Sequence, residues 1–328
     1  MEYALSSALV TGVTGFVGSH LAKELIRRGY KVFGVVRPCS SRDLHPLSDV
    51  RESITLLTAD IVNYTSMANA LRSTNPDVVF HLAALTPVRY SFEHPFQYEQ
   101  INYLATMNIC HAFLELPDFK KRFLLAASTA EVYGPDVKTP TTEDSPLNPS
   151  SPYAVSKAAA DMYLRMASRV YDLNCVVMRP TNTYGRKYET GFIIEYLITS
   201  MLKGERPYVG APDSVRDYIY VDDHVRAYVE TMEKRKAGSH VYNAASGVGV
   251  SNRKLAEKIA NIIGYDQNQI VYGSYPPGYP LRPIVSDQLE IVLDPERIRR
   301  EVGWVPKTTM DEGLKATTAY WKQGMRDA

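Results

Sequence analysis

Tyr153-Ala154-Val155-Ser156-Lys157 sets a phenol and an ammonium four residues apart, on one face of a helix. A cation near a phenol favours the phenolate, so the pair is expected to act as a general acid–base near neutral pH. Twenty-five residues before Tyr153 the chain reads Ser128-Thr129-Ala130-Glu131-Val132-Tyr133-Gly134. Ser128 and Thr129 offer hydroxyls to hold and polarise a reacting oxygen. Glu131, two residues beyond Thr129, shares its side if the backbone is still extended there. It reads as a carboxylate base or as a hydrogen-bond acceptor within its loop. Tyr and Lys at this spacing are common on ordinary helices, so the reading depends on what else the chain carries.

What it carries is a glycine turn near the start. Ala8–Thr11 is a short apolar strand, followed by Gly12, Gly15 and Gly18 and then a helical pattern from Ser19 to Arg28 ending at Gly29. Strand, glycine turn and helix N-terminus together form a seat for the diphosphate of a dinucleotide, with Phe16 and Val17 also expected to line the cofactor. The second strand, Val32–Val36, ends in Arg37, with Ser40, Ser41 and Arg42 following and no carboxylate before Asp43. Guanidiniums and hydroxyls suit a ribose 2′-phosphate, so NADP is expected, with NAD possible. The other reading of these residues is a solvated basic loop. Asp60, before Ile61 after a third strand, is placed to accept from an adenine amine or to cap the turn that follows.

Elements that position these groups alternate in type. Strands are expected at Ile54–Thr58, Val78–Ala83, Arg122–Ala127 and Asn174–Arg179, and helices at about Ser66–Ser73, Tyr98–Leu116 and Tyr153–Tyr171. This order requires a parallel sheet covered by helices on both faces. His240–Ala244 reads as a further strand and Asn252–Ile263 as a helix. Residues 1–180 with about 236–264 are expected as a dinucleotide-binding domain, and 181–235 with about 265–328 as a smaller, discontinuous second domain. The proline-rich, polar stretches 135–152 and 273–288 read as ordered loops near a site.

Bulk properties narrow the class. The 328 residues hold 37 Lys plus Arg against 36 Asp plus Glu, which gives no reason to expect nucleic-acid or membrane-surface binding. No apolar run approaches the ~20 residues of a membrane span, and Met1-Glu2-Tyr3 lacks a basic leader, so a cytoplasmic enzyme is expected. Cys39, Cys110 and Cys175 match no metal or disulfide spacing.

Gly12-x2-Gly15-x2-Gly18, His81-Leu82-Ala83-Ala84, Ser128-Thr129 and Tyr153-x3-Lys157 resemble the extended short-chain dehydrogenase/reductase family. The resemblance continues through Arg179-Pro180-Thr181-Asn182, Arg216-Asp217-Tyr218 and Gly303-Trp304-Val305-Pro306. Within the family, Val35–Ser41, Ser128–Gly134 and the stretch Arg186-Lys187-Tyr188-Glu189-Thr190-Gly191-Phe192 look closest to GDP-mannose 4,6-dehydratases. Two features depart from that group. Ala130 stands where dehydratases often carry a polar residue, and Asn182-Thr183-Tyr184-Gly185 follows the epimerase pattern. The resemblance implies a Rossmann-type doubly wound sheet and a nucleotide-diphosphate-sugar substrate. It implies that Leu82, Ala83 and Ala84 line the cofactor, and that Thr86, Ser128, Asn182, Arg186, Arg216 and Arg282 bind substrate. Arg216 and Arg282 are the diphosphate candidates, each with a salt-bridge role as the other reading. A homodimer or homotetramer is implied, its subunits packing through the helices near 98–116 and 153–171.

The expected reaction begins with oxidation at sugar C4, using Tyr153, Lys157 and Thr129. A 4,6-dehydratase then needs a carboxylate at C5, assigned to Glu131, whereas a 4-epimerase needs no further base. The dehydratase leads, with the 4-epimerase next. A 4-keto reductase, a decarboxylase and a non-catalytic cofactor sensor follow.

Overall fold

The computed structural model describes residues 6–38, 44–185, 189–234, 238–279, 283 and 288–325. Short β-rich apolar runs alternate with amphipathic helices from the start. They form β1 (Ser7–Thr11), α1 (Phe16–Arg27), β2 (Lys31–Val36), β3 (Ile54–Thr58), α2 (Tyr64–Thr74), β4 (Val78–His81), β5 (Phe123–Ala127) and β6 (Cys175–Pro180). The six strands pair in parallel in the order β6-β5-β4-β1-β2-β3, and Ser239–Ala244 lies beyond β6 as a seventh. Leu9, Val79, Leu124 and Val177 are buried with Ile109 and Phe113 in one apolar cluster, which is why these strands are apolar at nearly every position. This is the expected Rossmann-type sheet.

The order reverses direction at β1. Chain progression runs from β1 to β2 and β3 on one side, then crosses to β4 on the other. Thr11, the last residue of β1, pairs with His81, the last of β4. A crevice at the carboxyl ends of such strands is where open α/β sheets take ligands.

Local signals set the helix ends. Asn63 caps α2 by accepting from the Ser66 N–H at 2.9 Å. Ser151 caps the 20-residue helix Pro152–Tyr171 by accepting from the Ala154 N–H at 3.1 Å, and Pro152 at its first position has no N–H to satisfy. The expected continuous helix over 98–116 is instead built in pieces: Pro95–Tyr98, a π-helical turn Glu99–Leu104, and Ala105–Leu114. The wider turn accompanies Asn102 facing inward. Its Oδ1 accepts from the Leu85 N–H at 2.8 Å, and its Nδ2 donates to the Leu85 carbonyl at 3.0 Å and to Ser156 Oγ at 3.1 Å.

The chain divides into two compact units: Met1–Gly134 with Pro146–Arg179 and Val225–Tyr242, and Pro135–Ser145 with Pro180–His224 and Asn243–Ala328. Three segments fall differently from the expected division: Pro135–Ser145, residues 225–234 and residues 243–264. Residues 225–234 belong with the parallel sheet, where Tyr228 meets Phe80 edge-to-face at 6.2 Å and Glu233 pairs with Arg28 at 2.6 Å. The helix Asn252–Ile263 belongs to the second unit, where it packs on the helices Ile193–Leu202 and Met310–Gly324. The latter two carry amphipathic helical patterns, and a period of 3.6 does not say which neighbour the apolar face meets.

In the second unit, Val215–Tyr220 is the hub of a small sheet. It pairs in parallel with Asn182–Tyr184 and Glu290–Ile291, and antiparallel with Gly249–Ser251. Buried Trp304 donates its indole N–H to the Asp223 carbonyl at 3.1 Å, while the Asp223 carboxylate accepts from the Lys307 and Thr308 N–H groups.

Candidate active site

The glycine turn closes on itself. Gly15 N–H donates to the Gly12 carbonyl at 2.9 Å. Gly12 has φ +69, and a Cβ there would lie 2.8 Å from the Ala83 nitrogen. A Cβ on Gly18 would lie 2.1 Å from the Gly12 carbonyl oxygen. Two of the three glycines are therefore required by the turn and its packing against the β4 loop. The helix that follows begins at Phe16 with no side-chain cap on Gly15 and no acidic residue in its first turn. Bare amides and a positive dipole end, with no carboxylate in the first turn, suit a diphosphate. Phe16 and Val17 are half-buried and Gly18 is buried.

Arg37 is exposed immediately after β2; Ser40 and Arg42 lie outside the described residues. Asp60 follows β3 and accepts from the Val62 N–H at 3.1 Å, the capping role that its sequence allowed. Ile61 is buried, and its carbonyl accepts from Asn108 Nδ2 at 3.3 Å. Leu82, Ala83 and Ala84 are half-buried beyond β4, and the first two N–H groups both donate to Thr11 Oγ1 at 3.2 Å.

At the carboxyl end of β5 the ladder stops with Ser128 N–H donating to the Met178 carbonyl at 2.7 Å. Thr129 then caps a 3₁₀ turn, Ala130–Tyr133, accepting from the Glu131 N–H at 3.3 Å. Glu131 thus stands on a tight turn and not on an extended strand, because the Thr129 hydroxyl takes over the backbone hydrogen bond that a neighbouring strand would have made. The turn still brings the groups together. Thr129 and Tyr153 share a side-chain hydrogen bond, and the Glu131 carboxylate acts on the same phenol. Ser128 is buried, and its hydroxyl has no hydrogen-bond partner among the described residues.

Tyr153 and Lys157 are both buried on one face of the Pro152–Tyr171 helix. The expected lowering of the phenol by Lys157 is not what the structure shows. Burial pushes Tyr153 well above its usual range, Glu131 and Tyr98 add to the rise, and the Thr129 hydrogen bond opposes it. Burial also pushes Lys157 down, to about 8, with the Asp161 carboxylate one turn on holding it up. Desolvation outweighs the attraction the spacing suggests. Asp161 is itself clamped by Arg179 at 2.8 and 3.0 Å, and Arg179 donates to Tyr133 Oη at 2.9 Å.

Of the remaining substrate candidates, Thr86 is exposed beyond β4. In the second unit, Asn182 is exposed and donates to the Asp217 carbonyl at 3.4 Å, while Arg216 donates to the Val215 carbonyl at 2.9 Å. Arg186 and Arg282 lie outside the described residues. Sequence reasoning missed Thr11, Asn102, Thr106, Ser156 and Asp161, which support the site from behind. Asn102 and Thr106 sit four apart on one helical face, and Ser156 precedes Lys157; these spacings were the available signals. Among the described residues no group of His, Cys, Asp and Glu is arranged to hold a metal, and no helix is long and apolar enough to cross a membrane.

Sheet, glycine turn and Tyr–Lys helix together define an extended short-chain dehydrogenase/reductase. The chain belongs to the nucleotide-sugar epimerase/dehydratase enzymes of that class: a family model described as GDP-mannose 4,6 dehydratase matches residues 9–317. Relatives of both reaction types are similar along their lengths. The UDP-glucose 4-epimerase of Mycolicibacterium smegmatis is 32% identical, over 96% of this chain and 98% of that protein. The dTDP-glucose 4,6-dehydratase of Shigella flexneri is 30% identical, over 95% of this chain and 92% of that protein. The crystal structure of the dTDP-glucose 4,6-dehydratase DesIV from Streptomyces venezuelae, with NAD and TYD bound, superposes with a TM-score of 0.86 at 26% identity, covering 98% of each chain.

Proposed function

We propose that this enzyme is an NADP-dependent nucleotide-sugar 4,6-dehydratase acting through a 4-keto intermediate on a GDP-mannose-like substrate. One observation carries the reading: Glu131 stands on the turn capped by Thr129, two residues from the hydroxyl assigned to the C4 oxygen. Oxidation at C4 does not need that carboxylate, whereas dehydration does. The second reading, a 4-epimerase, is favoured by Ala130, which brings no polar side chain to the turn, and by the similarity to the M. smegmatis enzyme.

The dinucleotide is held, in this reading, by Gly12, Gly15, Phe16, Val17 and Gly18 at its diphosphate and by Asp60 and Ile61 at its adenine. Leu82, Ala83, Ala84, Tyr153 and Lys157 line its nicotinamide end. When bound it supplies a hydride acceptor and returns the hydride later. NADP over NAD rests on Arg37, with Ser40 and Arg42 following it and no carboxylate at the end of β2; NAD is what the DesIV structure holds.

Tyr153 takes the proton of the sugar 4-hydroxyl as its C4–H bond breaks, and the Thr129 hydroxyl holds the same oxygen. Ser128, with an unpartnered buried hydroxyl, binds the substrate beside it. The C4 ketone acidifies C5–H, and Glu131 removes that proton. The electron pair of the C5–H bond becomes the C5–C6 double bond as the C6–O bond breaks and hydroxide leaves. That hydroxide takes the proton held by Glu131, directly or relayed through a water, and departs as water. A hydride returned to C6 by the cofactor would complete a 4-keto-6-deoxy sugar, with C5 taking a proton from solvent as Tyr153 releases to solvent the one it took. Thr86, Asn182, Arg186, Arg216 and Arg282 bind the nucleotide-diphosphate part. The enzyme works in the cytoplasm as a homodimer or homotetramer.

The test is incubation with GDP-mannose, UDP-glucose, dTDP-glucose and UDP-glucuronate, with products read by mass and NMR. Loss of one water from GDP-mannose is expected. Unchanged mass with inverted C4 would move the assignment to an epimerase, and loss of carbon dioxide to a decarboxylase.

A further inference from the structure

His81 belongs to none of the roles above, yet it links the strand that leads into the glycine turn to the helix Ala105–Leu114. Its ring is buried at the end of β4. Nδ1 is 2.8 Å from Thr11 Oγ1 and Nε2 is 2.9 Å from Thr106 Oγ1. The single hydroxyl hydrogen of Thr106 is committed to the Asn102 carbonyl, at 2.7 Å. Thr106 therefore accepts from His81, which fixes the ring as the Nε2–H tautomer and leaves Nδ1 an acceptor for the Thr11 hydroxyl. The two lone pairs of Thr11 Oγ1 then take the N–H groups of Leu82 and Ala83, each at 3.2 Å. Every hydrogen in this chain has one place to go. The same chain continues from Asn102, whose Nδ2 donates to Ser156 Oγ at 3.1 Å, to Ser156, which donates to the Tyr153 carbonyl at 2.8 Å. Thr11, Asn102, Thr106 and Ser156 are all buried, so each missing bond leaves a polar group unpaired out of reach of water.

We propose that His81 is a positioning residue: a neutral imidazole of fixed tautomer, it locks the glycine turn and the β4 loop in register with the helix that presents Tyr153 and Lys157. Burial and the nearby Lys157 hold the ring neutral, at about 3, across any working pH. Protonation would put a second hydrogen on Nδ1, facing a hydroxyl already donating. It would also add a positive charge near Lys157. The role rests on the assignment of Tyr153 and Lys157 as the acid–base pair, but the relay itself does not depend on which sugar reacts.

The relay predicts that hydroxyls matter and methyls do not. Thr106→Val and Thr11→Val keep the shape and lose the oxygen, whereas Thr106→Ser and Thr11→Ser keep the oxygen and lose the methyl. Each Val variant should lose tenfold or more in kcat, with the sugar KM within about threefold, and each Ser variant should stay near the parent. Imidazole ¹⁵N NMR of the protein alone gives a readout without substrate. His81 should show one Nε2–H tautomer without titration between pH 5 and 9, and Thr106→Val should release it to a mixture. Equal losses in Val and Ser variants, or a His81 that titrates in that range or carries its proton on Nδ1, would overturn the proposal. A parent enzyme that fails to dehydrate any sugar but shows the fixed tautomer overturns the proposed function and leaves the relay standing.

Discussion

Tyr153 is buried and its phenol is held above the usual range, so in the proposed reading it takes a proton only once bound cofactor and substrate lower it. Tyr153→Phe keeps the ring and removes the acid–base. A loss of about 10²–10⁴ in turnover is expected, with dinucleotide binding retained; turnover near that of the parent would show that another group moves the proton. In the proposed reading Arg37 carries the cofactor choice. Arg37→Ala should weaken NADP binding by about 1.5–3 kcal/mol and NAD binding much less, measured by titration of the two dinucleotides side by side. A parent protein that prefers NAD contradicts this. Residue types and spacing made these positions legible, because a phenol, a lysine, two hydroxyls and a glycine triplet are distinctive together. The pKa directions were not legible. They are set by burial, and spacing along a helix does not say how far from water the pair will sit.

The first unit's elements were readable because each carries a strong local signal. β3 spans Ile54–Thr58 and the helix after it ends in the left-handed Asn75, both from ordinary strand and turn chemistry. The π turn at Glu99–Leu104 was not readable, since a side chain reaching across to Leu85 and Ser156 leaves no trace in periodicity. Glu131 was found for a reason the structure corrects: it stands on a 3₁₀ turn capped by Thr129, and not on an extended strand. In the second unit, Asp217 shows how an element is tied by one buried group. Its carboxylate accepts from Ser246 N–H and Oγ and from Gly247 N–H, holding that turn to the Val215–Tyr220 strand. Burial pushes it up to about 6, against these hydrogen bonds. The folded protein therefore binds this proton more tightly than the unfolded chain, whose aspartate titrates near 3.8. Stability should fall as pH rises from about 4 to about 6 and stay level, for this group, above that. Asp217→Asn should remove that part of the slope in denaturant titrations at pH 4.5 and 7; an unchanged slope would mean that the carboxylate is not the source.

At the scale of the whole molecule, near-balanced charge agrees with an enzyme whose ligands are met in a built site and not by a general field. The helix Pro152–Tyr171 exposes Val155, Met162 and Val170 along one side, and Leu104 is exposed on its neighbour. Apolar positions left outward on a helix favour burial against a partner, so light scattering at micromolar concentration should give a dimer or tetramer, and a monomer would contradict the assembly. The family is legible from motifs spread over nearly the whole chain. The reaction is less so, because epimerase and dehydratase share every element that performs C4 oxidation. In the proposed reading they part at one carboxylate, Glu131, and the most direct measurement is a single turnover of Glu131→Gln in deuterated solvent. The account predicts that reduced cofactor accumulates, that no dehydrated sugar forms, and that the parent enzyme alone places deuterium at C5. Full activity of Glu131→Gln, with no deuterium at C5 in either protein, would contradict the dehydratase assignment.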